Sequence, residues 1–281
     1  MIEAFFLTQN AGAIEKIRFE KKRLLQDETE KFLGPGEVQL IEPELLGDRS
    51  RLDLMWFEGK LGIRSASRFE ADSRTFDFFE IKDPDSCQKE ISQSLKTFSK
   101  IDLGLEMAQL RFRVGSQGHR GLWIDCANVL IKNLLEKTEV LRVLEKSWDV
   151  VEFGQKAKTL CWSEEGGRYR LGPPRAFPWM SSFGLQSTYR PNFYVSSFSQ
   201  PGPKANQVLV NTLSDISRDL PKNLSWAEWG AGYGNFTYFL QERFGSRGWT
   251  SEADPKMATL LKENLSVISN SIKIEQARDS S

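Results

Sequence analysis

The chain has 281 residues, 40% of them apolar, and its 38 Lys plus Arg equal its 38 Asp plus Glu. That length holds one large domain or two ordinary ones with a sizeable core, and the balanced charge leaves no global basic field for nucleic acid, so any RNA contact has to be a local patch. Cys87, Cys126 and Cys161 are widely spaced with no C-x-x-C pair, which excludes a disulfide framework and a zinc site. No apolar run reaches the roughly 18 residues of a membrane span, and MIEAFFLTQN lacks a basic region before a long apolar core. The expectation is a reduced, soluble, cytoplasmic protein with no bound metal.

Ile14, Ile17, Leu24, Leu25 and Phe32 recur at helical spacing, and Gly34-Pro35-Gly36 ends that helix. Its basic first half reads as a solvated face rather than an RNA contact. Arg51–Phe57 alternates, Glu58-Gly59 turns, and Lys60–Ser65 returns, which predicts a hairpin. Phe76–Ile81 is a further strand. Asp85 or Ser86 then caps a helix running to about Lys100. Ala108–Val114 and Gly121–Asp125 are strands around a turn that carries His119, the only histidine. A turn role suits it better than catalysis. Ala127–Glu145 reads as one amphipathic helix, opened by a small buried Cys126, and Asp149–Phe153 and Thr159–Trp162 are strands. Helices alternating with hairpins make this an α+β region.

Residues 154–204 change in composition. Lys156, Lys158, Arg168, Arg170, Arg175, Arg190 and Lys204 face only Glu164 and Glu165, with nine aromatics from Trp162 to Phe198 interleaved. Basic groups hold phosphates and aromatic faces stack on unpaired bases, so Lys156, Lys158, Arg168, Arg170, Arg175 and Arg190 are candidate RNA contacts. Core aromatics with a solvated charged rim remain the alternative.

Pro203–Asp219 is a helix that leads into the most informative stretch, Trp226 to Glu252. It reads as strand (Trp226–Trp229), glycine loop (Gly230, Gly232, Gly234), helix, and a second short strand ending on Glu252. Asp254–Leu265 is a further helix and Ser271–Glu275 a third strand. Glycines let a backbone approach a ligand, the next helix offers free N–H groups, and a carboxylate at the tip of the next strand accepts hydrogen bonds from a ribose diol. The G-x-G-x-x-G fingerprint for nicotinamide dinucleotides would need glycine at Asn235. The pattern present, E-x-G-x-G-x-G, looks like motif I of S-adenosylmethionine (SAM) dependent methyltransferases. A plain glycine-rich turn is the alternative.

AEWGAGYGNFTYF resembles, more narrowly, motif I of the RNA uracil-5 methyltransferases, with Glu228, Gly232, Gly234, Asn235, Phe236 and Thr237 in register. Phe198 and Gln200 match that family's F-x-Q-x-N stretch, with Gly202 in place of its Asn. The hairpin near residues 51–65 and FFEIKDPDSC with Cys87 resemble its central RNA-binding region. The resemblance implies an α+β RNA-binding-like region over 1–180 and the first part of an α/β, Rossmann-like SAM methyltransferase domain over 181–281. It implies that Gln200, Glu228, Gly230, Gly232, Gly234, Glu252 and Asp279 contact SAM. It implies methyl transfer to C5 of a uridine in transfer or ribosomal RNA, through a cysteine that adds to C6 and a carboxylate that removes the C5 proton.

The departures from that family are also informative. Of the cysteines that hold the family's iron–sulfur cluster, only the later one could be matched, by Cys87, and the earlier three have no counterpart, so no cluster is expected. The family's D-P-P-R segment, nucleophile and base follow the third strand, so no catalytic residue is assigned and this chain alone is expected to be inactive. Three strands from Trp226 onward form an incomplete sheet with an open edge, which a further part of the polypeptide or a second polypeptide would complete. A non-catalytic RNA-binding relative, or a SAM methyltransferase for another substrate, are the other readings.

Overall fold

The computed structural model describes residues 19–20, 22–27, 50–64, 78–80, 89–101, 104–115, 117–125, 131–155, 158–165, 168–179, 190–200, 202–245, 247–266 and 273–276. The expected helix start at Asp85 or Ser86, and Cys87, Cys126, Lys156 and Asp279, lie outside these residues. Residues 19–20 and 22–27 are helical, within the expected first helix.

The first layer is a sheet of eight strands: β1 (Arg51–Phe57), β2 (Lys60–Arg64), β3 (Phe78–Glu80), β4 (Met107–Val114), β5 (Arg120–Asp125), β6 (Val150–Gln155), β7 (Lys158–Glu165) and β8 (Arg168–Gly172). Their spatial order is β3-β2-β1-β4-β5-β6-β7-β8. The β1–β2 turn holds Glu58 at φ 48° and Gly59 at φ 81°, the doubly left-handed turn that matches strand twist. Among the described strands of this sheet only β5 and β6 pair in parallel, because α2 (Ile131–Leu135) and α3 (Thr138–Ser147) cross over between them.

Alternation explains the two faces of this sheet. Leu52, Leu54, Trp56, Leu110, Phe112, Leu122, Ile124, Val151 and Phe153 point one way and are buried in one cluster with Ile91, Leu95 and Phe98 of α1 (Lys89–Phe98) and Leu141 and Leu144 of α3. The Phe98 ring sits edge-on to those of Trp56, Phe112 and Trp148. The opposite face carries Arg51, Asp53, Arg111, Arg113, Trp123 and Glu152. Asp53, Arg111, Trp123 and Glu152 form one cross-strand row.

Two elements differ from expectation. The helix read as continuous over 127–145 breaks at Lys137, whose ψ of 65° is not helical. Leu134 and Leu141 are seven residues apart in sequence, a spacing that a continuous helix would also give, so the apolar pattern hides the break. Strand β8 was not expected. It forms a hairpin with β7, and Cys161 pairs with Gly172 across it.

The second layer is a parallel sheet of β9 (Trp226–Trp229), β10 (Gly248–Glu252) and β11 (Lys273–Gln276), in the order β11-β10-β9. Helix α4 (Pro203–Ile216) precedes it, and α5 (Thr237–Phe244) and α6 (Pro255–Ser266) make the crossovers. Trp226, Ala231, Phe244, Leu261 and Leu265 form its core. Among the described residues β9 pairs with β10 alone, and Trp229 at its end is 74% exposed.

A third cluster joins the layers: Trp179, Phe193 and Val195 pack with Tyr233 and Leu260. Gly121 permits this, since a Cβ there would sit 2.5 Å from the Trp179 ring and 2.8 Å from Val195. Among the described residues no helix is long and apolar enough to cross a membrane, and no group of His, Cys, Asp and Glu could hold a metal ion.

Candidate functional site

The glycine loop follows β9 directly. Gly230, Gly232 and Gly234 have φ of 68°, 60° and 97°, a backbone that side chains resist. Nothing lies within 4 Å of the place a Cβ would take on Gly230 or Gly232, so the loop is open to a ligand there. A Cβ on Gly234 would stand 3.0 Å from Leu261, so this glycine lets α6 pack closely. Asn235 exchanges two amide hydrogen bonds, of 3.0 and 2.7 Å, with the buried Asn206 of α4.

Glu252 ends β10 beside this loop. Its Oε2 accepts the Gly232 N–H at 2.7 Å and its Oε1 accepts the Asp254 N–H at 2.9 Å. Asp254 in turn caps α6, its Oδ1 accepting from the N–H groups of Lys256 and Met257. The carboxylate is therefore held at a fixed place with lone pairs to spare.

Gln200, Gly230, Gly232 and Glu252 line one cavity of about 480 Å³, between the loop and residues 194–200. Those four expected residues come together across 52 residues of sequence. Glu228 and Gly234 do not line the cavity. Glu228 lies behind the loop, where its carboxylate accepts the Thr237 hydroxyl at 2.5 Å. Burial pushes its pKa up to about 7, against the opposing effect of that hydrogen bond.

Among the described side chains, the expected RNA contacts are not at this cavity. Arg170, Arg175 and Arg190 are exposed and do not line it, and of Lys158 and Arg168 only the strand backbone is described. Cys161 is buried, its thiol donates to the Val151 carbonyl at 3.3 Å, and burial pushes its pKa up to about 11, so it is an inert thiol. His119 packs its ring edge-on against Phe177, at 4.6 Å between centroids, consistent with a turn role.

Sequence reasoning gave no cofactor role to several residues here. Tyr194, Asp254 and Lys256 also line the cavity. Phe198, at its edge, is 69% exposed with the Arg51 guanidinium 5.0 Å from its ring centre. Arg51, Arg111, Arg113 and Glu152 hold residues 195–199 from the polar face of the first sheet. The available signal was polarity at alternate positions, Gln109, Arg111 and Arg113, in a strand whose other residues are apolar.

No protein-family model matches the chain. It is 34% identical over 194 residues to an uncharacterized RNA methyltransferase of Bdellovibrio bacteriovorus, an alignment covering 68% of this chain and 46% of that protein. The chain thus spans about half the length of the curated relative it matches. The crystal structure of the Pyrococcus abyssi tRNA (uracil-54, C5)-methyltransferase, in complex with S-adenosyl-L-homocysteine, superposes with a TM-score of 0.59 at 16% identity, covering 94% of this chain and 64% of that one. This chain therefore shares the fold of the Pyrococcus enzyme and is a sequence relative of the Bdellovibrio RNA methyltransferase.

Proposed function

We propose that the chain belongs to a SAM-dependent RNA methyltransferase and that the cavity holds SAM. In this reading the methyl acceptor is C5 of a uridine in transfer or ribosomal RNA, and the protein works in the cytoplasm. The observation that carries it is the placing of Glu252. A ribose diol brings two O–H donors, and this carboxylate, anchored by the Gly232 and Asp254 amides, offers acceptors beside a loop that side chains do not fill. The names of the two similar proteins support RNA as the substrate class, and one of them supports uracil C5.

The sulfonium of SAM supplies a transferable methyl group. C5 of uracil becomes nucleophilic only after a thiolate adds at C6, and Cys161 is not that thiolate, being protonated, buried and away from the cavity. In this proposal the nucleophile and base come from outside the described residues, from elsewhere in the polypeptide or from a second one. Arg170, Arg175 and Arg190, with Lys156, Lys158 and Arg168, serve as phosphate contacts, so RNA affinity falls as salt rises.

Calorimetric titration with S-adenosyl-L-homocysteine tests the cavity. Glu252→Ala should weaken binding by about 1.5–3 kcal/mol, the worth of hydrogen bonds to a charged group. Equal affinities in the two proteins would overturn the assignment. Incubation of the chain, together with the part that supplies the nucleophile and base, with methyl-labelled SAM and RNA, followed by nucleoside analysis, tests the substrate. Label in a base other than uridine would overturn the C5 reading, and RNA binding without cofactor binding would favour a non-catalytic relative.

A further inference from the structure

Ser196, Ser197, Phe198 and Ser199 line the cavity across from the glycine loop, and the peptide groups of residues 195–199 belong to no helix or strand. A packed irregular segment has to satisfy its N–H and C=O groups through side chains or water. Here the partners come from the first sheet. Glu152, fully buried, accepts the N–H groups of Val195 at 2.7 Å and Ser196 at 2.9 Å. Arg113, 2% exposed, donates to the carbonyls of Val195 at 3.1 Å and Ser197 at 2.7 Å, and to the Ser199 hydroxyl at 2.5 Å. Arg111 adds the Ser196 and Ser197 carbonyls, and Arg51 the Ser199 carbonyl. Asp53 bridges Arg51 and Arg111 from the solvent side.

Burying Arg113 and Glu152 is costly, and apolar side chains of similar volume would hold the two layers together at least as well. Apolar contacts, however, are non-directional. They cannot decide which peptide groups face the sheet and which face the cavity. The same guanidinium also reaches the other wall. It lies 4.8 Å from the Phe193 ring centre, and Phe193 stacks on Tyr233 of the glycine loop with centroids 4.3 Å apart and planes 14° apart. Buried Asn264 ties Asn192 to that loop, donating to the carbonyls of Asn192 and Tyr233 at 2.8 and 2.9 Å.

We propose that Arg113 and Glu152 are positioning residues of the cofactor site: from the first sheet they fix the backbone register of residues 195–199, and so the placing of Gln200 against the glycine loop. The proposal rests on the reading of the cavity as a SAM site. It makes cofactor affinity depend on two buried residues that do not line the cavity.

The test uses the full chain, wild type and the variants R113K and E152Q, with S-adenosyl-L-homocysteine as the probe. Lysine keeps the charge of Arg113 but not its planar fork, and glutamine keeps the shape of Glu152 but not its charge. Calorimetric Kd is read beside amide hydrogen exchange across residues 195–199 and the circular dichroism melt. The expected result is a Kd raised roughly tenfold or more in both variants, as for the loss of a charge-assisted hydrogen bond. Faster exchange should be confined to 195–199, with exchange in β1, β4 and β9 unchanged. If R113K fails to fold, the isosteric E152Q carries the decision. A Kd within about twofold of wild type, with 195–199 exchanging faster, would overturn the proposal while leaving the cavity reading intact. Wild type that does not bind the probe removes the cavity reading, and the proposal falls with it.

Discussion

Glu228 is the residue whose role changes most between sequence and structure. The family resemblance implies that it contacts the cofactor, yet it does not line the cavity and its carboxyl accepts the hydroxyl of the fully buried Thr237. Nothing local in the sequence signals that burial, which α5 and the loop impose together. Its consequence is a pH dependence of definite sign. Burial raises the folded pKa from 4.5 to about 7, so between those values the folded chain keeps a proton that the unfolded chain has released. Stability from this group is fully present below about pH 4.5 and is lost as pH rises through about 7, by on the order of 3 kcal/mol at most. Glu228→Gln lacks that titration. Its melting temperature should therefore lose less than that of wild type between about pH 5 and about pH 7.5, and should be the higher of the two at the upper pH. Parallel profiles in scanning calorimetry would show that burial does not reach the Glu228 carboxyl.

Among the elements, those written by short-range rules were legible. Strand β9, the glycine loop and α5 follow from adjacent residues, as does the β1–β2 hairpin, whose strand β1 matches the expected Arg51–Phe57. That hairpin nevertheless carries a local conflict. Glu58 takes φ 48°, a conformation that a glutamate adopts at a cost of roughly 1 kcal/mol and that asparagine, common before glycine in such turns, tolerates. Glu58→Asn should raise the melting temperature by about 2 °C or more. An unchanged or lower value in a thermal melt would mean that the glutamate side chain makes up the difference elsewhere. The elements that escaped have physical reasons too. Strand β8 lies in a stretch whose arginines and tyrosine read as an RNA surface, and an exposed strand edge carries charge for its own protection. The break at Lys137 is invisible because Leu134 and Leu141 keep a helical spacing across it.

For the whole molecule, the joint between the two layers was least legible, since its partners are far apart in the chain. Arg113 and Ser197 are 84 residues apart, and Asn192 and Asn264 are 72 apart. No periodicity or motif encodes such pairs; they follow from packing the second layer onto the polar face of the first. Phe193 belongs to that joint, fully buried, with both the Arg113 guanidinium and the Tyr233 ring against its own ring. Its truncation tests whether the layers unfold as one unit. Phe193→Ala should cost about 3–5 kcal/mol, the usual range for emptying a buried phenylalanine site. Because the ring touches both layers, the loss falls on the joint more than on either sheet. A single calorimetric transition in wild type should separate into two in the variant. If the cavity binds S-adenosyl-L-homocysteine as proposed, the ligand should then raise the transition of the layer holding the glycine loop more than that of the first sheet, and in wild type it should raise the single transition. A variant that still melts in one step, shifted as a whole by the cofactor product, would mean that the arginine and glutamate hydrogen bonds to residues 195–199 couple the layers without the ring.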